Sequence, residues 1–231
     1  MNQQEFLARV SARLGRTSPA EAGRPQWQPS APLPNIGPTD REALVERFVL
    51  EAEKLSTKVY QVASEAEVAP MVVAILGAEE TGTVVRWQDP TLEGLGLDEV
   101  LTNAGHWVTP FRHGTESQPQ LELAEKAIAG ITGVDMAIAE TGTLVLASSR
   151  IGEPDAPGRG RTVSLLPPIH IAVVRKEQIV YSTLSLFRRL AAAGPLPSQV
   201  AFASGPSRSA DIENDLSIGV HGPKEVHVIL V

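Results

Sequence analysis

Glu140, Arg208 and His221 have the side chains and local settings that suit chemistry. Glu140 stands in Ala139-Glu140-Thr141-Gly142-Thr143, after an apolar run and before a turn glycine. That setting presents a carboxylate beside backbone amides and the hydroxyls of Thr141 and Thr143. It can act as nucleophile, general base or ligand anchor, or simply bond its own turn. Arg208 stands in Ser204-Gly205-Pro206-Ser207-Arg208-Ser209-Ala210-Asp211-Ile212-Glu213, where a glycine turn with serines leads from a strand into a predicted helix. Free amides at that helix start, the hydroxyls and the guanidinium make an anion site for a phosphate or carboxylate. Alternatively Asp211 and Glu213 complement the helix dipole and Ser209 is a plain N-cap. His221 lies in Gly219-Val220-His221-Gly222-Pro223, a turn that exposes a ring titrating near neutral pH, with or without a role. His170 follows Pro167-Pro168 at the start of an apolar strand and reads as a core or edge histidine. Arg150, Arg159 and Arg161 lie in a glycine-rich loop over residues 150–162, which suits an anionic ligand, a closing loop or a plain surface loop equally.

Composition narrows these chemistries. There is no cysteine, so this sequence offers no thiol nucleophile, disulfide, zinc ribbon or cysteine-held cluster. The five histidines, His106, His113, His170, His221 and His227, show no HxH or HExxH spacing, and no metal site is expected. The net charge of −7 and an aromatic content of 4% speak against nucleic acid as a partner. The N-terminus lacks an apolar signal core, and no run approaches the ~18 apolar residues of a membrane span. A cytoplasmic location is the expectation.

Secondary-structure elements must position the candidate residues. Phe6, Leu7, Val10 and Leu14 mark a short amphipathic helix over 2–15, and six prolines between Pro19 and Pro38 make a linker or extended arm. That helix packs on its own domain or docks on a partner. Residues 1–38 thus read as an N-terminal arm and 39–231 as one α/β domain. Capping boxes at Thr39–Glu42, Ser64–Glu67 and Ser117–Gln120 open three helices, the second running to about Gly77 and the third to about Ala129. Strands are expected at 58–62, 83–87, 135–139, 143–148, 169–174, 201–203 and 226–231, with a helix over 182–193. Near-continuous β-branched runs alternating with helices predict a largely parallel sheet covered on both faces, with a hairpin-like insertion around 140–168.

The segments GITGVDMAIAETGTLVLASS, SLLPPIHIAVV and SGPSRSADIENDLSIGVHGPKEVHVILV, in that order over roughly residues 130–231, resemble the LUD domain family in its lactate-utilisation protein C branch. The resemblance implies a three-layer α/β sandwich similar to the NagB/RpiA/CoA-transferase fold. It also implies membership of a three-protein system oxidising L-lactate to pyruvate, whose partner proteins carry the iron–sulfur clusters while this cysteine-free chain carries no cofactor. The site residues it implies are Glu140, Thr141 and Gly142; Gly205, Pro206, Ser207, Arg208, Asp211 and Glu213; and His221, Gly222 and Pro223. A second expectation follows from the CoA-transferase likeness, in which a strand-end glutamate accepts the acyl group. Glu140 would then serve a stand-alone enzyme acting on a CoA thioester or a sugar phosphate. Here, however, Ala139 and Thr141 stand where Ser-Glu-Asn-Gly is usual. A third is a sensor that binds a carboxylate metabolite without turnover.

Overall fold

A computed structural model describes residues 2–17, 37–38, 40–77, 81–111, 117–151, 159–194, 196–210 and 216–231. The chain divides into two units, Met1–Ile36 and Gly37–Val231. The first contains helix α1 (Gln3–Arg13), opened by Asn2, whose side chain accepts from the Glu5 amide while Glu5 accepts from the Asn2 amide.

In the second unit six strands form one all-parallel sheet: β1 (Lys58–Gln61), β2 (Thr83–Trp87), β3 (Trp107–Phe111), β4 (Ala129–Thr132), β7 (Ile169–Val174) and β12 (Glu225–Leu230). Their order is β1-β12-β7-β4-β2-β3. The central strands are buried along nearly their whole length, which is why they read as continuous apolar runs and not as alternation. Helices α2 (Arg41–Lys54), α3 (Val68–Leu76), α5 (Leu97–Asn103), α6 (Ser117–Lys126) and the short α7 (Thr162–Leu165) surround this sheet. Phe48, Leu101, Ile131, Ile171 and Ile229 fill the core between them.

The expected hairpin insertion is instead part of a second sheet. Strands β5 (Met136–Ile138) and β6 (Thr143–Ala147) pair antiparallel, β8 (Ile179–Val180) joins β5 in parallel, and β9 (Val200–Ala203) closes the other edge on β6. Helix α8 (Thr183–Ala192) packs Leu186 and Leu190 onto Ile138 and Val145, giving this sheet its own small core. Ser182 caps α8 by accepting from the Ser185 amide. Helix α2 joins the two sheets: it packs on β1, while its Arg41 guanidinium donates to the carbonyls of Lys176 and Ile179 beside β8.

Several local expectations are corrected. Asp40 caps α2, accepting from the Ala43 amide, and Thr39 lies outside the described residues. Ser64 makes no cap to the backbone; Glu67 folds back to the Ala63 amide and the Ser64 hydroxyl, and a 3-10 turn precedes α3. Helix α6 ends at Lys126, because Ala129 already belongs to β4. The helix expected after Ser204 does not form: β10 (Arg208–Ala210) pairs antiparallel with β11 (Leu216–Ile218). Backbone pairing to a later segment takes the amides that a helix start would have left free.

The parallel sheet changes direction once. Strand β3 lies on one side of β2, and the next strand of that sheet, β4, lies on the other. Such a switch leaves an open crevice at the carboxyl ends of the two strands, where α/β sheets commonly receive ligands.

Candidate functional site

The sequence motifs converge on one structural feature, the C-terminal end of α2. Gly142 has φ 61°, at the tight β5–β6 turn, and its Cα faces the backbone of Glu51 and Ala52 so closely that a Cβ has no room. Gly205 has φ 88° and approaches the Leu55 carbonyl in the same way. Arg208 completes the clamp, with Nη2 donating to the Leu55 carbonyl at 3.1 Å and the Ser56 hydroxyl at 2.7 Å. A guanidinium at this end of a helix also meets the negative end of its dipole. The hydroxyls of Thr141, Thr143 and Ser204 form a chain, at 2.7 and 2.8 Å, that ties the β5–β6 turn to the segment before Arg208. The third motif docks on the second: the Ser207 amide donates to Pro223, the Gly219 amide donates to Ser207, and Gly222 packs on the Ser207 side chain. The structure therefore brings together Thr141, Gly142, Thr143, Gly205, Pro206, Ser207, Arg208 and Gly222. Glu140 is exposed at the turn, with its amide donating to Tyr181, and His221 is exposed as expected. Asp211 and Glu213 lie outside the described residues.

Beside this clamp a crevice of about 190 Å³ opens, lined by Ser56, Lys58, Pro206, Arg208, Lys224 and Glu225 among others. Three cations face one carboxylate there. Lys58 Nζ bonds Glu225 at 2.6 Å, and that bond holds the lysine pKa above and the glutamate pKa below their ordinary values. Glu225 also meets His227 Nε2 at 3.1 Å, while Tyr60 stacks on the His227 ring with its hydroxyl 3.3 Å from Nδ1. Burial lowers the His227 pKa. These partners suit a neutral ring that carries its proton on Nε2 and accepts from Tyr60. Sequence reasoning singled out Arg208 but missed Lys58, Lys224 and Glu225. They sit at the start of β1 and β12, and only the parallel pairing of those strands puts them side by side.

The arginines of the 150–162 loop do not form one cluster with Arg208. Arg159 is 3% exposed at the switch between β2 and β4. It pairs with Asp89 through Nε at 2.5 Å and with Asp135 through Nη1 at 2.8 Å, and its guanidinium lies 5.1 Å over the Trp87 ring. Asp89 and Asp135 follow β2 and β4, so the two strand ends deliver the two carboxylates to one arginine. Asp89 caps α4 (Pro90–Glu93) as well, accepting from the Thr91 amide at 2.8 Å. Burial works to raise the Asp89 pKa, but the Thr91 and Arg159 bonds outweigh it and the pKa falls. At Asp135 burial wins over Arg159 and the pKa rises. Arg150 is half-buried nearby, whereas Arg161 is exposed. The sequence signal for Asp89 was only Asp-Pro, the signature of a helix start.

His170 is buried in β7 with Nε2 2.9 Å from the Thr132 hydroxyl, as a core histidine should be. Among the described residues no group of three His, Asp or Glu is placed to hold a metal ion. No helix of the described residues is long and apolar enough to cross a membrane.

Residues 45–231 match the LUD domain family model. A lactate utilization protein C from Shouchella clausii is 34% identical over 236 residues, covering 100% of this chain and 97% of that protein. One from Bacillus subtilis strain 168 is 32% identical over 243 residues, covering 100% and 96%. The crystal structure of a duf162 family protein from Deinococcus radiodurans superposes with a TM-score of 0.58 at 23% identity, covering 84% of this chain and 99% of that one, which supports the α/β architecture. With the family model matched through both sheets and the helix they share, this chain belongs to the LUD domain family.

Proposed function

We propose that this chain is the cysteine-free component of a cytoplasmic lactate-utilisation system that oxidises L-lactate to pyruvate beside iron–sulfur partner proteins. The near full-length similarity to proteins named lactate utilization protein C carries this reading. The lack of cysteine supports a division of labour: electrons passing through thiolate-held clusters travel on other chains. Within this chain, the crevice of Lys58, Arg208 and Lys224 holds a small carboxylate or phosphate. Cations there exceed carboxylates, and a guanidinium already fixed by Leu55 and Ser56 meets an anion with little loss of side-chain freedom. Thr141, Gly142, Thr143, Gly205, Pro206, Ser207 and Gly222 hold that arginine in place. Glu140 and His221, exposed on the flanking turns, are the residues open to acid–base work.

Copurification from lactate-grown cells tests the system-level reading. The tagged chain should recover iron-containing proteins, and a chain that recovers none counts against it. Calorimetry tests the crevice. Arg208→Ala should weaken phosphate or carboxylate binding by about 1.5–3 kcal/mol, the scale of a charged hydrogen bond. Unchanged affinity would remove Arg208 as the anchor.

A further inference from the structure

One oxygen of Glu225 is shared at the edge of the Arg208 crevice. Oε2 accepts from Lys58 Nζ at 2.6 Å and stands 3.1 Å from His227 Nε2. Glu225 belongs to the lining with Lys58, Lys224 and Arg208, and its side chain is 47% exposed. A carboxylate bonded to a lysine in a cationic crevice occupies the place that an anion from solution would take. The chain thus carries its own competitor.

The rest of the crevice has donors to spare. Arg208 commits Nη2 to the Leu55 carbonyl and the Ser56 hydroxyl, which leaves three of its five N–H groups. Ser56 has φ 66°, at the left-handed position just past α2 where glycine is the usual residue. A serine there accepts from Arg208 and keeps its own proton to donate.

Charge selects the ligand. Among the described lining residues, Lys58, Lys224 and Arg208 against Glu225 leave two positive charges. A monocarboxylate only exchanges with Glu225, like for like. A doubly charged tetrahedral oxoanion matches the excess, and its oxygens take bonds from guanidinium, ammonium and hydroxyl together. A displaced Glu225 still has a partner in His227. The Tyr60 hydroxyl stands 3.3 Å from Nδ1 of that ring. A neutral ring accepts from Tyr60 and a protonated ring donates to it, since a hydroxyl serves either way. The groups acting on the ring are Tyr60 and Lys58 on β1, Glu225 on its own strand, and His170 on β7. Lys58 opposes a charge on the ring and Glu225 favours it, while His170 stays neutral because burial holds its pKa at about 4. An anion that takes Lys58 from Glu225 screens the lysine and leaves the carboxylate to the ring.

We infer that Glu225 is a resident competitor in this crevice: a doubly charged oxoanion displaces it from Lys58, and it then pairs with His227, which takes a proton from solvent at Nδ1. The inference rests on the reading of the Arg208 crevice as an anion site, and adds to it the charge of the ligand and the fate of a proton.

The test is calorimetry of the full chain with sodium sulfate, a dianion that carries no proton of its own from pH 6 to pH 8. Titrations at pH 6.5 in MES and in Bis-Tris, buffers of different ionisation enthalpy, should show uptake of a fraction of a proton per sulfate bound. Sulfate affinity should rise from pH 8 to pH 6, and acetate should bind more weakly than sulfate. His227→Asn should bind sulfate with neither the uptake nor the pH dependence. Glu225→Gln should bind sulfate tighter by about fivefold or more, the effect of one unit charge at contact distance in water. Glu99→Gln makes the same charge change at an exposed position of α5 and should stay within about twofold, because salt screens exposed charges outside the crevice. At pH 8 inorganic phosphate and glycerol phosphate should both bind more tightly than acetate. The tighter of the two tells a free ion from an ester, and either order upholds the class. Glu225 is at the surface, so the Glu225→Gln result stands even where His227→Asn unfolds. No gain in Glu225→Gln, acetate at parity with sulfate, or proton uptake that persists in His227→Asn would each overturn the inference. Sulfate binding that Arg208→Ala weakens, with no proton uptake and no gain in Glu225→Gln, would keep the anion site and remove the competitor. No anion binding in either the native chain or Glu225→Gln would remove both.

Discussion

Two buried groups set what single residues contribute. His170 is 1% exposed and bonded to Thr132 through Nε2, and its Nδ1 has no partner among the described residues. Burial lowers its pKa from 6.5 to about 4, with His227 adding to the effect. The unfolded chain therefore binds one more proton than the native one between those values. Stability from this residue is fully present above pH 6.5 and falls as the pH drops toward 4, by about 3 kcal/mol over that window. Urea unfolding at pH 7 and pH 4.5 should show the loss in the native sequence, and His170→Asn should show a much smaller one. A parallel fall in both would place the acid sensitivity elsewhere. Arg159 is the second group. Replacing it with methionine leaves Asp89 and Asp135 without their cation, and should cost about 3–5 kcal/mol in denaturant unfolding. Adding Asp89→Asn and Asp135→Asn should regain much of that loss, since the penalty belongs to the stranded charges and not to the missing arginine. Neither role was legible in the sequence beyond a general one. His170 read as a core histidine from its apolar neighbours, but Arg159 read as a loop arginine because its two carboxylates lie 70 and 24 positions away.

At the level of elements, the end of α2 is where separate segments lock together. The close approach at Gly142 combines a left-handed φ with a missing Cβ, so Gly142→Ala strains the turn and drives a methyl into the Ala52 backbone. A loss of about 2–5 kcal/mol is expected, summing a left-handed penalty of about 1–2 with an overpacking cost of about 1–3. A thermal melt reads it, and an unchanged melting temperature would show that α2 is free to shift. Strands β2 and β7 were legible to the residue, because β-branched apolar runs buried on both faces leave a plain signature. The helix expected after Ser204 was not. Gly205 followed by serines and acidic residues fits a helix start locally, and only the partner strand Leu216–Ile218 decides for a hairpin. Strand β3 begins with exposed Trp107 and contains Pro110, which obscured it, as an edge position permits. The ETGT and SGPSR motifs, read in the sequence as a strand-end carboxylate and an anion loop, are places where the backbone closes tightly on a neighbour. Their shared partner, the end of α2, lies outside both.

For the whole molecule, the buried apolar clusters among the described residues all fall between Leu44 and Leu230. A chain starting at Gly37 should therefore fold with nearly the full urea midpoint, and a large loss would show that the N-terminal unit completes the core. In the first unit Phe6, Leu7 and Val10 on α1, and Leu14 at its C-terminal cap, are exposed. The sequence by itself determined the α/β class, the lack of thiol chemistry, the family and most strand positions. These follow from residue types and short-range periodicity, which need no knowledge of where the chain goes next. The tertiary structure alone decided that Lys58 stands beside Arg208, that Asp89 and Asp135 share Arg159, and that a second sheet replaces a hairpin insertion. Each depends on strand order, and strand order is fixed by packing between segments far apart in the chain, where local propensity carries no information.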